Sequence, residues 1–195
     1  MKVFFTASQR GKKSFGKYYT KILEEIKKQG FNIVKDDFFS YSPEEYYKKL
    51  ELGGKKANQE LFREKISSIQ EADINIFDCS FHSLSIGYMV QKSLEINKPT
   101  ILLFYKDNEP YFLEGAGDGQ DKLITKSYND KNIKSIVREA LDLAKERRDK
   151  RFNFFINPKL LGYLEKTSKH EGMTKSTFIR NLILEHMRKS QVKNA

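Results

Sequence analysis

Cysteine is almost absent from this chain. The one residue, Cys79, excludes an intramolecular disulfide and fits a reducing, cytoplasmic setting. Histidine is nearly as scarce. The three present are isolated from one another, which argues against a zinc site. Long apolar runs are missing as well. The longest, Thr100 to Tyr105, is far too short to cross a bilayer, and no membrane partner is expected. The apolar part of the opening "MKVFFTAS" ends within a few residues, so it does not read as a signal peptide. No cofactor is implied by any motif.

What remains is a chain of 195 residues, 38% hydrophobic, long enough for one medium domain and a small one. Its net charge is +10, which points to a polyanionic partner. The excess is uneven. From Arg151 onward nine Lys and Arg stand against three Asp and Glu, leaving 27 against 23 for the first 150 residues. A solvated basic tail is the plain alternative.

Short apolar runs alternate with amphipathic stretches. "KVFFTAS", "FNIV", "DINIFDC" and "PTILLFY" read as strands, and "KLITKSY" as a short edge strand. "QRGKKSFG" reads as a loop. "KYYTKILEEIKKQG" reads as a helix with Tyr18, Ile22 and Ile26 inward and Gly30 as its stop. Helices follow over "YSPEEYYKKL", opened by Ser42-Pro43, and over "NQELFREKISSIQEA", Ile86 to Asn97 and "IKSIVREALDLAKERRDKR". "KDNEPYFLEGAGDGQ" is a polar loop bearing glycines. Strands alternating with helices predict an α/β fold, a parallel sheet covered on both faces. The pattern changes near Asp149–Arg151, which divides the chain into 1–149 and 150–195.

In such a sheet, ligands bind at the carboxyl ends of the strands. After strand one, "TASQRGKK" places Ser8, Gln9, Arg10 and Gly11 ahead of a helix, an arrangement that favours phosphate. After strand three, "DCSFHSLSIGYM" brings Asp78, Ser83, Ser85 and Gly87. The serine hydroxyls can cap a helix or bind phosphate, and Gly87 permits close backbone approach. Asp78 suits a ribose hydroxyl, a base, or the cap of the next turn. Cys79 and His82 have the makings of a nucleophilic pair, although a buried thiol beside a surface imidazole is the simpler account.

"FTASQRG", "EADINIFDCS" and "SLSIGYMVQKSLEINKPTILLF" together resemble the nucleoside 2-deoxyribosyltransferase family, closest to its branch that hydrolyses deoxynucleoside 5′-monophosphates. The resemblance covers Lys2 to Tyr105 and implies a flavodoxin-like, doubly wound sheet that binds a nucleotide or nucleoside. Ser83, Gly87, Lys98 and Pro99 match the family's late segment, S-x-G-x-G-x-E followed by a buried strand. Three positions depart from it. Met89 stands where the family's nucleophilic glutamate falls, and a thioether is no carboxylate. Lys65 stands where its acidic helper falls, with Glu64 turned about 100° away along the helix. Ser85 replaces its first glycine. No catalytic residue is therefore assigned, and a nucleotide-binding pseudoenzyme is expected.

In the tail, Phe152, Phe154 and Ile156 alternate with Arg151, Asn153 and Phe155 as a half-buried strand. A helix follows from Asn157 or Pro158, with Leu160, Leu161 and Leu164 inward and Gly172 at its end. Thr174 caps a second helix whose apolar face is Phe178, Ile179, Leu182, Ile183 and Met187. One strand and two helices cannot bury these faces alone, so a second copy must complete the core. The stretch resembles the ribbon-helix-helix family (of the MetJ, Arc and CopG type). That resemblance implies a homodimer whose paired strands enter the DNA major groove. By resemblance, Arg151, Asn153 and Phe155 read bases, and Thr174, Lys175 and Ser176 grip phosphate. Phe155 departs from the usual polar residue. A ribbon used only for dimerisation is the alternative.

The expectation is a dimeric DNA-binding protein whose first domain senses a nucleotide or modulates assembly, as in transcription regulation. The second possibility is an N-glycosidase or deoxyribosyltransferase targeted to nucleic acid, with Asp78 or Glu64 replacing the lost carboxylate. Domains similar to this one act in retron-type phage defence. A third is a scaffold that assembles beyond a dimer.

Overall fold

Alternation along the apolar runs decides which face each residue serves. In β1 (Lys2–Ala7), Val3, Phe5 and Ala7 point to one side of the sheet and Phe4 to the other. β3 (Ile74–Asp78) repeats the pattern, with Ile74 and Ile76 opposite Phe77. β4 (Thr100–Tyr105) does the same, with Ile101 and Leu103 opposite Leu102. All of these are buried, as strands covered on both faces must be. With β2 (Asn32–Ile33) and β5 (Leu123–Tyr128) they form a five-stranded sheet in the order β2-β1-β3-β4-β5. Every pairing is parallel, with Phe5 opposite Ile76 and Ile76 opposite Ile101. This is the flavodoxin-like, doubly wound order, and it reverses direction between β1 and β3. The computed structural model describes residues 1–35, 37–115, 121–148 and 154–192.

One face of the sheet is covered by α1 (Lys12–Lys28) and α5 (Ile133–Glu146). They contribute Tyr18, Tyr19, Ile22, Ile26, Val137 and Leu141 to the larger core. The other face is covered by α2 (Pro43–Glu71) and α3 (Leu84–Glu95), through Ile69, Ile86, Met89, Val90 and Leu94. A capping box opens α2: Ser42 Oγ accepts from Glu45 N, and the Glu45 carboxylate accepts from Ser42 N. Gly54, with φ 56° and ψ −144°, breaks α2 into the two stretches the sequence suggests. A short α4 (Tyr111–Gly115) interrupts the expected polar loop after β4.

Two boundaries differ from the sequence pattern. α1 starts at Lys12, so half of the expected loop is helical. Phe15 packs 6.4 Å from the Tyr19 ring and 6.0 Å from the Tyr105 ring, and this tertiary contact outweighs the local glycine and serine content. α3 starts at Leu84, two residues before Ile86, because Ser83 takes the extended cap conformation.

The chain divides into two compact units, Met1–Asp149 and Lys150–Ala195. The second is built on α6 (Pro158–His170) and α7 (Lys175–Val192). Asn157 caps α6 by accepting from Leu160 N at 2.9 Å, and Gly172 at φ 66° ends the turn after it. Thr174 Oγ1 accepts from Thr177 N at 3.2 Å at the head of α7. The rings of Tyr163 and Phe178 meet at 6.4 Å, and Phe178 is buried. Leu160, Leu161, Leu182, Ile183 and Met187 lie exposed.

The expected strand is not formed at residues 154–157. A strand needs a neighbouring backbone, and the single chain offers this segment none. Arg151 and Asn153 lie outside the described residues, while Phe155 is fully exposed. Among the described residues, no helix is long and apolar enough to cross a membrane, and no group of three His, Cys, Asp or Glu could hold a metal ion.

Candidate functional site

The reversal of strand order between β1 and β3 leaves a crevice at their carboxyl ends. A cavity of about 530 Å³ opens there, within the range of small-molecule sites. β1 and the turn after it supply Thr6 to Gln9, α2 supplies one wall, and the first turn of α3 supplies the other.

The α3 wall has unspent donors. Ser83 sits at the cap position, but its hydroxyl makes no capping hydrogen bond. Ser85 lies one turn-step inside. The first N–H groups of a helix have no intrahelical acceptor and carry its positive dipole end. Hydroxyls beside a helix N-terminus are groups of the kind that suit an anion.

The α2 wall is aromatic. Tyr46, Tyr47 and Phe62 face the cavity, and Tyr88 joins them from α3, its ring 5.8 Å from that of Phe62. Flat apolar rings of this kind stack on planar ligands. Phe38 closes the floor, and its carbonyl accepts from Gln9 Nε2 at 3.3 Å.

Met89 and Lys65 both line the cavity. Met89 is buried against Ile86 and Val90 in the core below. Among the described residues that line the cavity there is no Asp, Glu, His or Cys. Glu64, next to Lys65, is not among the lining residues and pairs with Lys35 at 2.5 Å.

Of the eight residues expected at a nucleotide site, Ser8, Gln9, Ser83 and Ser85 meet at this cavity. The other four are not among its lining residues. Arg10 is exposed, with its guanidinium 5.6 Å from the centre of the Tyr47 ring. Gly11 keeps α1 close to the sheet: a Cβ there would strike the Tyr19 hydroxyl and come within 2.8 Å of Phe81 Cβ. Gly87 borders a neighbouring cavity of about 770 Å³, and a Cβ on it would meet only ordinary contact at 3.8 Å.

Asp78 is fully buried. Its carboxylate accepts from the Tyr128 hydroxyl at 2.7 Å and from Ser80 N at 2.9 Å. Ser80 Oγ lies 3.2 Å from the same Tyr128 hydroxyl and accepts from Tyr105 N. Burial pushes the Asp78 carboxyl up to about 6, against the pull of those hydrogen bonds. Asp78 ties β3 to β5, Ser80 ties the turn after β3 to β4, and Asp78 is not among the residues lining the cavity. Cys79 is likewise buried, with its thiol raised by burial and by Asp78, and His82 is exposed. The thiol lies 3.9 Å from the Phe77 carbonyl oxygen.

Sequence reasoning missed the aromatic wall. Tyr46, Tyr47, Phe62 and Tyr88 look like ordinary helical apolar positions, and only the fold brings residues from both sides of the break at Gly54 to one cavity with α3.

The fold and the cavity define an α/β protein of flavodoxin-like topology with a ligand crevice at the switch point of its sheet. No family model matches the sequence, and no curated protein matches it. Among solved structures, the CMP N-glycosidase BcmB of Clostridium botulinum is similar, with a TM-score of 0.49 and 18% identity. The match covers 73% of this chain and 98% of that one.

Proposed function

We propose that the first unit binds a nucleoside 5′-monophosphate without cleaving it, and that the second unit pairs with its copy to hold the protein on DNA. The observation that carries the first part is the composition of the cavity. It offers free hydroxyls at a helix N-terminus for the phosphate and aromatic walls for the base, but no carboxylate. Glycosidic cleavage through a covalent intermediate needs a nucleophile at the anomeric carbon. Met89 cannot provide one. Asp78 is buried and accepts from the Tyr128 hydroxyl, Glu64 pairs with Lys35, and neither lines the cavity, which supports the non-catalytic reading.

The uncovered apolar positions of α6 and α7 support pairing. Leu182, Ile183 and Met187 are each about half exposed on one helix. The basic excess beyond Arg151 supports a polyanionic partner. Thr174, Lys175 and Ser176 cluster at the head of α7. Lys175 pairs with Glu165 at 2.8 Å on the surface, an interaction weak enough to be exchanged for a phosphate.

The test is calorimetric titration of the whole protein with ribo- and deoxyribonucleoside 5′-monophosphates, with chromatography of the same samples for free base. Saturable binding without base release is expected. Release of base from any of them overturns the non-catalytic reading, and absence of binding overturns the nucleotide reading. For DNA, binding should weaken steeply with salt. The DNA assignment fails if Arg151→Ala with Lys175→Ala leaves the affinity unchanged at moderate salt.

A further inference from the structure

The net charge of the first 150 residues is concentrated in one helix. α1 carries six lysines against two glutamates, a net +4. Residues 1–150 hold 27 Lys and Arg against 23 Asp and Glu, so everything outside α1 balances at 21 against 21. The other helices on the sheet balance one by one. α2 holds six cations and six carboxylates, α5 three and three, and α3 one of each. A helix face that serves only to stay wet mixes its signs in this way. α1 does not.

The excess lies on one side of the helix. At 100° per residue, Lys13, Lys17, Lys21, Lys27 and Lys28 fall within an arc of about 120°, opposite the buried Tyr19, Ile22 and Ile26. Glu24 is the one carboxylate in that arc. Glu25 is turned inward, 2% exposed, and accepts from Arg138 at 3.1 Å and from Gln29 at 2.8 Å. Lys12, the sixth lysine, is engaged by the Phe38 and Tyr41 carbonyls. Lys13, Lys17, Lys27 and Lys28 are exposed. Lys21 is half-buried, with its ammonium 5.9 Å from the centre of the Tyr18 ring.

The carboxylates near this row hold it weakly. Lys13 pairs with Glu44 at 2.7 Å, but both side chains are more than half exposed, and a pair of that kind exchanges readily. Asp130 lies 3.6 Å from Lys17, yet its carboxylate already accepts from the Tyr105 and Tyr18 hydroxyls at 2.5 and 2.6 Å. The helix dipole favours acidic residues in a first turn, and α1 has none there, only Lys12 and Lys13. Local stability does not account for that placement of Lys13, and an anionic partner does.

The length of the row indicates the kind of partner. From Lys13 to Lys28 it runs about 22 Å, at 1.5 Å per residue. A small anion occupies one point of such a line. A duplex offers a phosphate about every 3.4 Å along each strand. The row also belongs to the same chain as the basic second unit, and a weak contact tethered to another binding site gains by effective concentration. We propose that the exposed lysine row of α1 is a second contact for the backbone of the DNA that the second unit holds. Its lysines meet phosphates and read no sequence. The inference rests on the DNA-binding reading of the second unit.

The experiment follows binding of the full-length protein to a fluorescent DNA duplex across a salt series. When Lys13→Gln, Lys17→Gln and Lys21→Gln are combined, the steepness of log affinity against log salt falls by about 2.7 per chain, at about 0.9 for each lost phosphate contact. Lys48→Gln with Lys55→Gln and Lys56→Gln on α2 removes the same charge from exposed positions and leaves the steepness nearly unchanged. The three α1 positions changed to arginine keep it, which separates lost charge from a folding defect. An α1 glutamine variant that loses no more steepness than the α2 control overturns the assignment. So does a loss confined to phosphatidylserine vesicles, which makes the row a membrane contact. If the unmodified protein binds no duplex at any salt, the DNA reading falls and this inference with it. If Arg151→Ala with Lys175→Ala lowers the steepness and the α1 variant does not, only the role of α1 falls.

Discussion

Replacing Asp78 by Asn should stabilise the protein at neutral pH and do little in acid. The ordinary carboxyl value is 3.8, and burial raises it to about 6 in the folded protein. The raised value means that the folded state holds the ionised form poorly. Below pH 4 both the folded and the unfolded chain keep the proton, and no penalty arises. Between 4 and 6 the unfolded chain releases its proton first, and stability drains away. Above 6 the full penalty is present. The gap of about two units corresponds to about 3 kcal/mol at 1.36 kcal/mol per unit. The group is fully buried, so solvent does not screen it.

Asparagine keeps most of the local bonding. Its Oδ1 accepts from Ser80 N, and its Nδ2 donates to the Tyr128 hydroxyl, which turns its own proton toward Ser80 Oγ. The assay is denaturant unfolding of the variant and the parent at pH 4 and at pH 7.5. The difference between the two proteins isolates Asp78 from the other carboxylates. It should open from near zero to as much as about 3 kcal/mol as pH rises, or roughly 6–12 °C in melting temperature for a chain of this size. A difference that is the same at both pH values, or that shrinks toward neutrality, refutes the burial account.

Gly11→Ala should lose about 1–3 kcal/mol by overpacking against Tyr19 and Phe81, and Tyr19→Phe should restore part of it by removing the buried, unpartnered hydroxyl; urea midpoints of the two single variants and the double variant measure this. Asp130→Asn should destabilise above pH 4 and have little effect in strong acid. Its carboxylate accepts from Tyr105 and Tyr18 at 2.5 and 2.6 Å and is held well below the usual range, so its contribution is present above the ordinary value and lost as acid protonates it; a melting series across pH checks the sign. Ser83→Ala with Ser85→Ala should weaken nucleoside monophosphate binding about 10-fold or more while leaving the bare nucleoside nearly unaffected, as calorimetry would read. Leu182→Glu with Ile183→Glu should convert a dimer to a monomer by light scattering without unfolding the first unit.

The sheet was legible because its signal is local. Runs such as Ile74 to Asp78 are short, apolar and bounded, and their alternation with amphipathic helices leaves few topologies. Ser83 and Ser85 were legible for the same reason, since a strand, a turn and a helix start place them at a strand end. Asp78 was ambiguous because its role depends on Tyr128, fifty residues further along the chain. No local pattern distinguishes a carboxylate that faces a ligand from one that faces a buried phenol. Arg10 was expected near a phosphate from the loop's cations and the following helix start, and its place over the ring of Tyr47 depends on α2, which no local pattern shows. The aromatic wall depends on the bend at Gly54, whose positive φ the glycine pair only permits. In the tail, alternation suggested a strand that residues 154–156 do not form in the single chain, because strand pairing needs a neighbouring backbone that no local pattern supplies.

Met89 at the base of the cavity has a consequence for timing. An enzyme empties its site by turning substrate over, so its occupancy reflects flux. A crevice that binds a nucleotide without cleaving it, as proposed above, releases what it took in. Its occupancy then follows the surrounding concentration and the dissociation constant alone. Such a site works as a gauge: it can be read repeatedly, it resets by dilution, and it leaves the pool it measures intact.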